Sequence, residues 1–493
     1  MSRTAPITRP LLTALAGLAA LAAGVLAPAA ATAQAVRASE LRYPTLPPFT
    51  IPQPERVTLD NGMVVLLLPD HELPLVEMTA LVHAGPRYDP ADKVGLAGLA
   101  AELMRTGGTA SLSGDAVDDL LESHAASIEL SVDDDTTTAT LSALAADFPQ
   151  VLRVFADVLR RPALDPAKLE VARAQAIAAL SRRNDEPFNV LDREIRKLVY
   201  GTDSPYARLA TFAGLRAIGR DDVVAWHSAS LHPDRMIVGL VGDFQRDEAL
   251  ARIREAFGDW QRGPAWAPAQ TPYQRARPGM YFARKDDVTQ SFVGLGHLGV
   301  LRNDPDFYAL DVLNQLFAGS FASRLFAEVR TRLGLAYTVW GGVDSQWDHP
   351  GVSGVFLSTK VETTGAAIDA LLAQVRDLTE HPPRSEEIEK ARQSLLNSFV
   401  FRFDAPAKVM RRQLLLEHYH YPLDWLARYQ PGIAAVTVDD VRRAVRHLRS
   451  ADFAMLVVGP AQGMDKPLGS YGEVTPVDIS LPPDPAPAGA KGP

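Results

Sequence analysis

A chain of 493 residues is longer than one hydrophobic core normally organises, so two or more domains are expected. With 47% hydrophobic and 22% charged residues it is neither fibrous nor disordered. A formal charge of −9 argues against nucleic acid as a partner. The absence of cysteine excludes disulfides, thiolate metal sites, cysteine nucleophiles and lipid attachment through a thiol.

At the N-terminus, Arg3 and Arg9 precede the apolar run "LLTALAGLAALAAGVLAPAAATAQA". Small residues close it, and Ala33-Gln34-Ala35 has the form of a signal-peptide cleavage site, so residues 1–35 are expected to direct export. A retained membrane anchor is the competing reading, because the run is long enough to cross a bilayer. The Ala-x-Ala ending and the lack of a basic stop-transfer cluster favour cleavage. Loss of Arg3 and Arg9 takes the formal charge to about −11.

The next segments, "MVVLLLPD" and "VEMTALVHAG", read as strands. "KVGLAGLAAELMRTGGT" (Lys93 to Thr109) follows as an apolar-faced helix, and "SIELSVDDDTTTATLSAL" alternates as a hairpin does. "LEVARAQAIAALSRRNDEP" (Leu169 to Pro187) is a helix that ends before proline, and "IEKARQSLLNSFVFRFDAP" (Ile388 to Pro406) repeats its frame 219 residues later without a gap. Ala172, Arg173, Asp185 and Pro187 fall on Ala391, Arg392, Asp404 and Pro406.

A second match, "DDVVAWHSASLHPDRMIVGLVGDF" from Asp221 against "DDVRRAVRHLRSADFAMLVVGP" from Asp439, has an offset of 218. Each is a capped helix leading into a buried strand. Two collinear matches at nearly one offset indicate a duplicated domain. Strands "GMYFARKD" and "SFVGLGHLG" open the second copy.

The fold class expected is therefore α+β, with two homologous domains, each a mainly antiparallel sheet covered by helices. The limits are a signal peptide at 1–35, a first domain at 36–245, a helix end and linker at 246–279, a second domain at 280–460 and a Pro-rich tail at 461–493. The linker contains the Pro- and Gly-rich "WQRGPAWAPAQTPYQRARPG", and "LPPDPAPAGAKGP" in the tail cannot bury a core.

The ordered phrases "LDNGMVVLLLPD", "GPRYDPADKVGLAGLAAELMRTGGT", "HPDRMIVGLVGDF" and "SRLFAEVRTRLGLAYTVWGG" together resemble the insulinase/pitrilysin family of zinc peptidases over roughly Leu59 to Pro460. The resemblance implies a helix bearing H-x-x-E-H, in which two His hold Zn²⁺ and Glu acts as general base. Here that frame reads "GLAAE". Gly98 stands at the first His, Ala101 at the base and Glu102 at the second His. The distal Glu of active relatives falls at Ala178 or Ala179. One carboxylate does not make a zinc site, so no metal is expected from this chain.

The same resemblance places Arg330 and Tyr337 at the family's arginine/tyrosine pair, with Tyr337 donating to the scissile carbonyl and Arg330 orienting substrate backbone or the tyrosine. As isolated residues they read as one more helix charge and a half-buried strand aromatic. The short "AGSFASRL" loop lacks the glycine-rich insertion of the substrate-binding subunit of mitochondrial processing peptidase, so presequence recognition is not implied.

Other candidate ligands read as structural. His418 and His420 with Glu417 in "EHYHYP" read as a surface cluster at a helix end. His227 and His232 read as helix-end and turn residues, and Asp133 to Asp135 as a solvated hairpin turn.

The expectation that follows is a zinc-free subunit of a periplasmic or secreted heterodimeric metallopeptidase. Its partners would be a homologous zinc-bearing subunit and a peptide substrate, with no nucleic acid and no membrane after signal cleavage. A stand-alone binding or scaffold protein built on the same fold is the alternative. An enzyme with a relocated metal site, for which only Glu102 and scattered His can be cited, is the third reading.

Overall fold

The computed structural model describes residues 51–266, 273, 277–481 and 484. The expected signal segment, most of the linker's centre and the end of the tail lie outside the described residues. No helix among the described residues is long and apolar enough to cross a membrane.

The first half contains strands β1 (Glu55–Thr58), β2 (Val64–Pro69), β3 (Leu75–Val82), β4 (Ser127–Val132), β5 (Thr137–Leu144) and β6 (Met236–Gly242). Its helices are α1 (Leu96–Thr106), α2 (Gly114–Ser123), α3 (Phe148–Arg160), α4 (Pro166–Ser181), α5 (Pro187–Tyr200), α6 (Phe212–Ala217), α7 (Arg220–Ser230) and α8 (Arg246–Phe257). The second half has strands β7 (Gly279–Arg284), β8 (Gln290–Leu298), β9 (Val300–Leu301), β10 (Ala336–Gly342), β11 (Ser345–Gln346), β12 (Val352–Lys360), β13 (Ala454–Gly459) and β14 (Val474–Pro476). Its helices are α9 (Phe307–Phe317), α10 (Thr364–Glu380), α11 (Ser385–Ser398), α12 (Pro406–His418), α13 (Trp425–Ala435) and α14 (Val438–Ala444).

The repeat seen in sequence is a repeat of topology. The first sheet has the order β4-β5-β3-β6-β2-β1 and the second β10-β12-β8-β13-β7-β14. In each, the closing strand (β6, β13) enters the middle of the sheet parallel to the opening strand (β2, β7) and antiparallel to its other neighbour. Both sheets are mainly antiparallel, as expected for this α+β class.

Two features depart from the expectation. Residues 474–476, assigned to the tail, form β14 and pair with β7, so the second half runs past 460. The second departure concerns the helices. Each half sends one helix onto the other half's sheet: α5 packs on β8 and β13, while α12 packs on β6.

Each crossing helix meets glycine. A Cβ at Gly296 would lie 2.8 Å from Ile195 Cγ1, and one at Gly239 would lie 2.6 Å from Met410 Sδ, so only glycine permits these approaches without a shift. β6 is therefore covered on both faces, which explains its unbroken apolar run MIVGLVG where a half-exposed strand would alternate. Leu66, Leu68, Leu81, Ile237, Met410 and Leu414 form the small core under α12.

Candidate functional site

The helix α1 begins at Gly95, whose φ of +108° is a left-handed conformation natural to glycine. The buried Asp89 carboxylate accepts from the backbone N–H groups of Gly95 at 2.8 Å and Ala97 at 3.0 Å, replacing the absent side-chain cap. Burial pushes this carboxyl up to about 6, against those same hydrogen bonds. Leu96, Leu99, Leu103 and Met104 bury the helix in the first core.

On this anchored helix Gly98 is only half-buried, and a Cβ there would meet nothing within 4 Å. Glu102, one turn on, is exposed. Ala101 is buried at 3% exposure. Ala178 and Ala179 are exposed on α4, which packs against α1. The scaffold of a two-helix site is thus present, while four of these five side chains have no donor atom. Glu102 alone could offer an oxygen, and three protein ligands are the usual minimum for catalytic zinc.

Arg330 and Tyr337 lie in the second half, and the fold brings them together. Arg330 belongs to a π-helical turn, Phe326–Arg332, in which Leu333 N–H bonds Glu328 O. Such turns are rare and often found at functional sites. Tyr337 is on β10, the edge strand of the second sheet. The pairing with β12 slips between Ala336 and Val339, a bulge that re-aims the intervening side chains. Tyr337 is 79% exposed, and the Arg330 guanidinium sits 4.5 Å from its ring centroid.

The same guanidinium lies 4.7 Å from the Phe326 ring and 5.6 Å from that of Phe321, which is 77% exposed. Arg324 fixes the start of the turn. Its guanidinium donates to both oxygens of Glu387 at 2.9 and 3.0 Å, and to Asp377 at 3.1 Å. Hydrogen bonding from Arg324 holds the Glu387 carboxyl down at about 2. Among the described residues, no hydrogen bond, ion pair or ring contact joins Arg330 or Tyr337 to Gly98, Ala101, Glu102, Ala178 or Ala179.

Two family models match, "Insulinase (Peptidase family M16)" over residues 64–208 and "Peptidase M16 inactive domain" over residues 217–395. The chain belongs to the insulinase family. The M16 relatives include an uncharacterized zinc protease YmxG of Bacillus subtilis, 22% identical, with 83% of this chain and 99% of the relative aligned. They also include a non-peptidase homolog YmxG of Helicobacter pylori, 24% identical over 68% of this chain and 77% of the relative.

Among solved structures, a peptidase M16 inactive domain from Pseudomonas fluorescens superposes with a TM-score of 0.76 at 24% identity, covering 84% of this chain and 99% of the other. The periplasmic protease PqqL from Escherichia coli superposes at 0.70 with 17% identity, covering 83% of this chain and 46% of that one. At these identities the superpositions speak for the fold.

Some residues were misjudged from sequence. His418, expected at the surface, is fully buried at the end of α12, because the crossing helix carries it into the contact between the halves. Asp135, expected in a solvated turn, is 5% exposed, because the β4–β5 hairpin meets the same helix. His227 behaves as expected, with Nε2 donating to Leu159 O at 2.8 Å.

Proposed function

We propose that this M16 chain is the zinc-free member of a heterodimeric periplasmic peptidase, in which it supplies Arg330 and Tyr337 to a zinc site carried by a homologous partner. Our domain assignment for this reading keeps 36–245 as the half without zinc ligands. The second half, from 280 onward, is the half that offers the pair. The signal segment at 1–35 would deliver the chain to the periplasm, and the periplasmic PqqL is compatible with that location.

One observation carries the reading: an exposed tyrosine hydroxyl on a bulged edge strand, with an arginine stacked over its ring, in a chain whose five zinc-frame positions on α1 and α4 offer only the Glu102 carboxylate. Among the described residues that hydroxyl makes no hydrogen bond, so it is free to donate. A donor aimed at the oxygen where charge develops lowers the barrier by about 3 kcal/mol. An extended peptide beside β10 would bring its carbonyls to Tyr337, and Arg330 would steady both the ring and the peptide backbone. Zinc, in this reading, is the partner's, and Glu102 has no catalytic part.

The experiment mixes Tyr337→Phe and Arg330→Ala separately with the zinc-bearing homologue. Peptide hydrolysis is measured beside complex formation by size-exclusion chromatography. Tyr337→Phe should assemble normally and lower turnover by about 10²-fold with little change in KM. Arg330→Ala should weaken both turnover and peptide binding. If both variants assemble and cleave at the unmodified rate, the chain is a binding or scaffold protein instead.

A further inference from the structure

We propose that His83 Nδ1, Asp135 Oδ2 and His418 Nδ1 form a binding site for one divalent first-row transition metal, zinc by preference, which ties the two halves of the chain together. One ligand atom from each of the three residues lies within 4.8 Å of the other two. They come from separate elements: His83 directly follows β3, Asp135 is in the β4–β5 hairpin, and His418 ends α12 of the other half.

The hydrogen bonds around the cluster fix which ring nitrogens are bare. His83 Nε2 is 3.2 Å from the carbonyl oxygen of His418, which can only accept, so Nε2 carries the proton. Thr136 Oγ1 donates to Asp135 Oδ1 at 3.0 Å, so His418 Nε2, 3.0 Å from the same hydroxyl, is the donor there. In both rings Nδ1 is left as an unprotonated lone pair. Both Nδ1 atoms are buried without a hydrogen-bond partner, and His418 is wholly inaccessible.

Asp135 Oδ1 also accepts from Tyr419 OH at 2.8 Å, which leaves Oδ2 turned to the cluster, 4.0 Å from His83 Nδ1. Two buried imidazole lone pairs on stacked rings, beside a carboxylate oxygen and with no donor to either, call for a cation. The arrangement also has the outer contacts typical of metal-bound histidine, whose second nitrogen donates to a carbonyl or to a hydroxyl–carboxylate pair.

Chemistry narrows the choice of ion. Two imidazoles and one carboxylate suit zinc and its neighbours and are poor ligands for calcium or magnesium. The same hydrogen bonds leave each ring with one proton, on Nε2, so both rings are neutral and able to ligate through Nδ1. The rings now stack at 3.6 Å between centroids. Ligand bonds of about 2.0–2.1 Å require the three donors to draw together by about 1 Å, with the rings turning out of the stack. A cleft of about 930 Å³ between the halves, lined by Asp135, Thr136, Asp348 and Tyr419, gives the ion its entry.

None of these donors belongs to α1 or α4, so the expectation that this chain holds no metal is kept for those helices alone. Among the described residues, the other convergent group, Asp304, Asp306 and His447, is already served by cations, since Asp306 pairs with Arg443 at 2.7 Å.

The test titrates the full-length metal-free chain with Co²⁺ and with Zn²⁺, reading bound metal by elemental analysis after dialysis, the visible absorption of Co²⁺, and Tm. The unmodified chain should bind one ion per chain, give a four-coordinate Co²⁺ spectrum and gain a few degrees in Tm. Asp135→Asn and His83→Phe, which keep the volume and the ring stack, should each weaken binding at least 10-fold. Glu102→Ala should bind like the unmodified chain. The proposal is overturned if the unmodified chain shows no saturable binding, if both site variants bind as tightly as it does, or if Glu102→Ala abolishes binding.

Discussion

The exchange of helices between the halves makes a quantitative prediction at Gly296. This residue of β8 faces Ile195 of α5, itself buried at 1% exposure. Gly296→Ala adds a methyl 2.8 Å from Ile195 Cγ1, well inside van der Waals contact. The β-branched isoleucine has no easy alternative rotamer in a helix, so α5 itself must move. Overpacking of this kind costs about 1–3 kcal/mol, and the loss of glycine's freedom in the unfolded chain returns about 0.4–1 kcal/mol. The net expected loss is about 1–2 kcal/mol. Ile195→Ala alone should cost about 2–5 kcal/mol by leaving a cavity. The double variant refills part of that space, so its loss should fall short of the sum by about 1–2 kcal/mol. Equilibrium unfolding in urea, followed by circular dichroism and tryptophan fluorescence, measures all three. Because α5 belongs to the first half and Gly296 to the second, the transitions of both halves should shift together. Additivity within about 0.5 kcal/mol, or a shift confined to one half, would refute the argument that α5 clamps the halves.

Gly98→Ala should stabilise the chain by about 0.5–1 kcal/mol, since the position is inside α1 and open to a Cβ; a rise in Tm checks it. The triple variant Gly98→His, Ala101→Glu, Glu102→His should show no zinc-dependent peptidase activity on its own in a fluorogenic peptide assay. The distal carboxylate is still missing, and a glutamate at the buried Ala101 must give up solvent. Glu387, held down at about 2 in the folded chain by Arg324 against an ordinary 4.5, contributes stability that is present above about pH 4.5 and lost as pH falls toward 2. Glu387→Gln should therefore flatten the fall in Tm across that window while lowering Tm at neutral pH.

Much of the architecture was legible because it is written twice. The frame shared by Leu169–Pro187 and Ile388–Pro406 marks α4 and α11, and the prolines that close it open α5 and α12 at the same offset of 219. The second match sets Met236 on Ala454, the first residues of β6 and β13. What a repeat cannot reveal is which sheet a helix covers. α5 and α12 have apolar faces that would suit either sheet. The available signal was glycine inside strands, at Gly239, Gly294 and Gly296, which marks where something approaches the backbone closely without naming it.

The misplacement of His418 follows from the same gap. Counting back by helical turns from His418 reaches Leu414 and Met410, both on the buried face of α12, so periodicity puts the histidine inside. Its place near the end of a charged-looking segment suggested the opposite, because a helix end is usually wet. It is dry here only because the helix crosses to the other half. Asp135 was missed for the matching reason, since the hairpin that carries it is covered by that helix and not by solvent. Arg330 and Tyr337 differ in kind: seven residues apart, they meet through a π-turn and a strand bulge, two local distortions that no regular periodicity predicts. Such distortions cost free energy and are often kept at functional sites. Their place beside an exposed hydroxyl with no hydrogen bond among the described residues is what supports the role proposed for the second half.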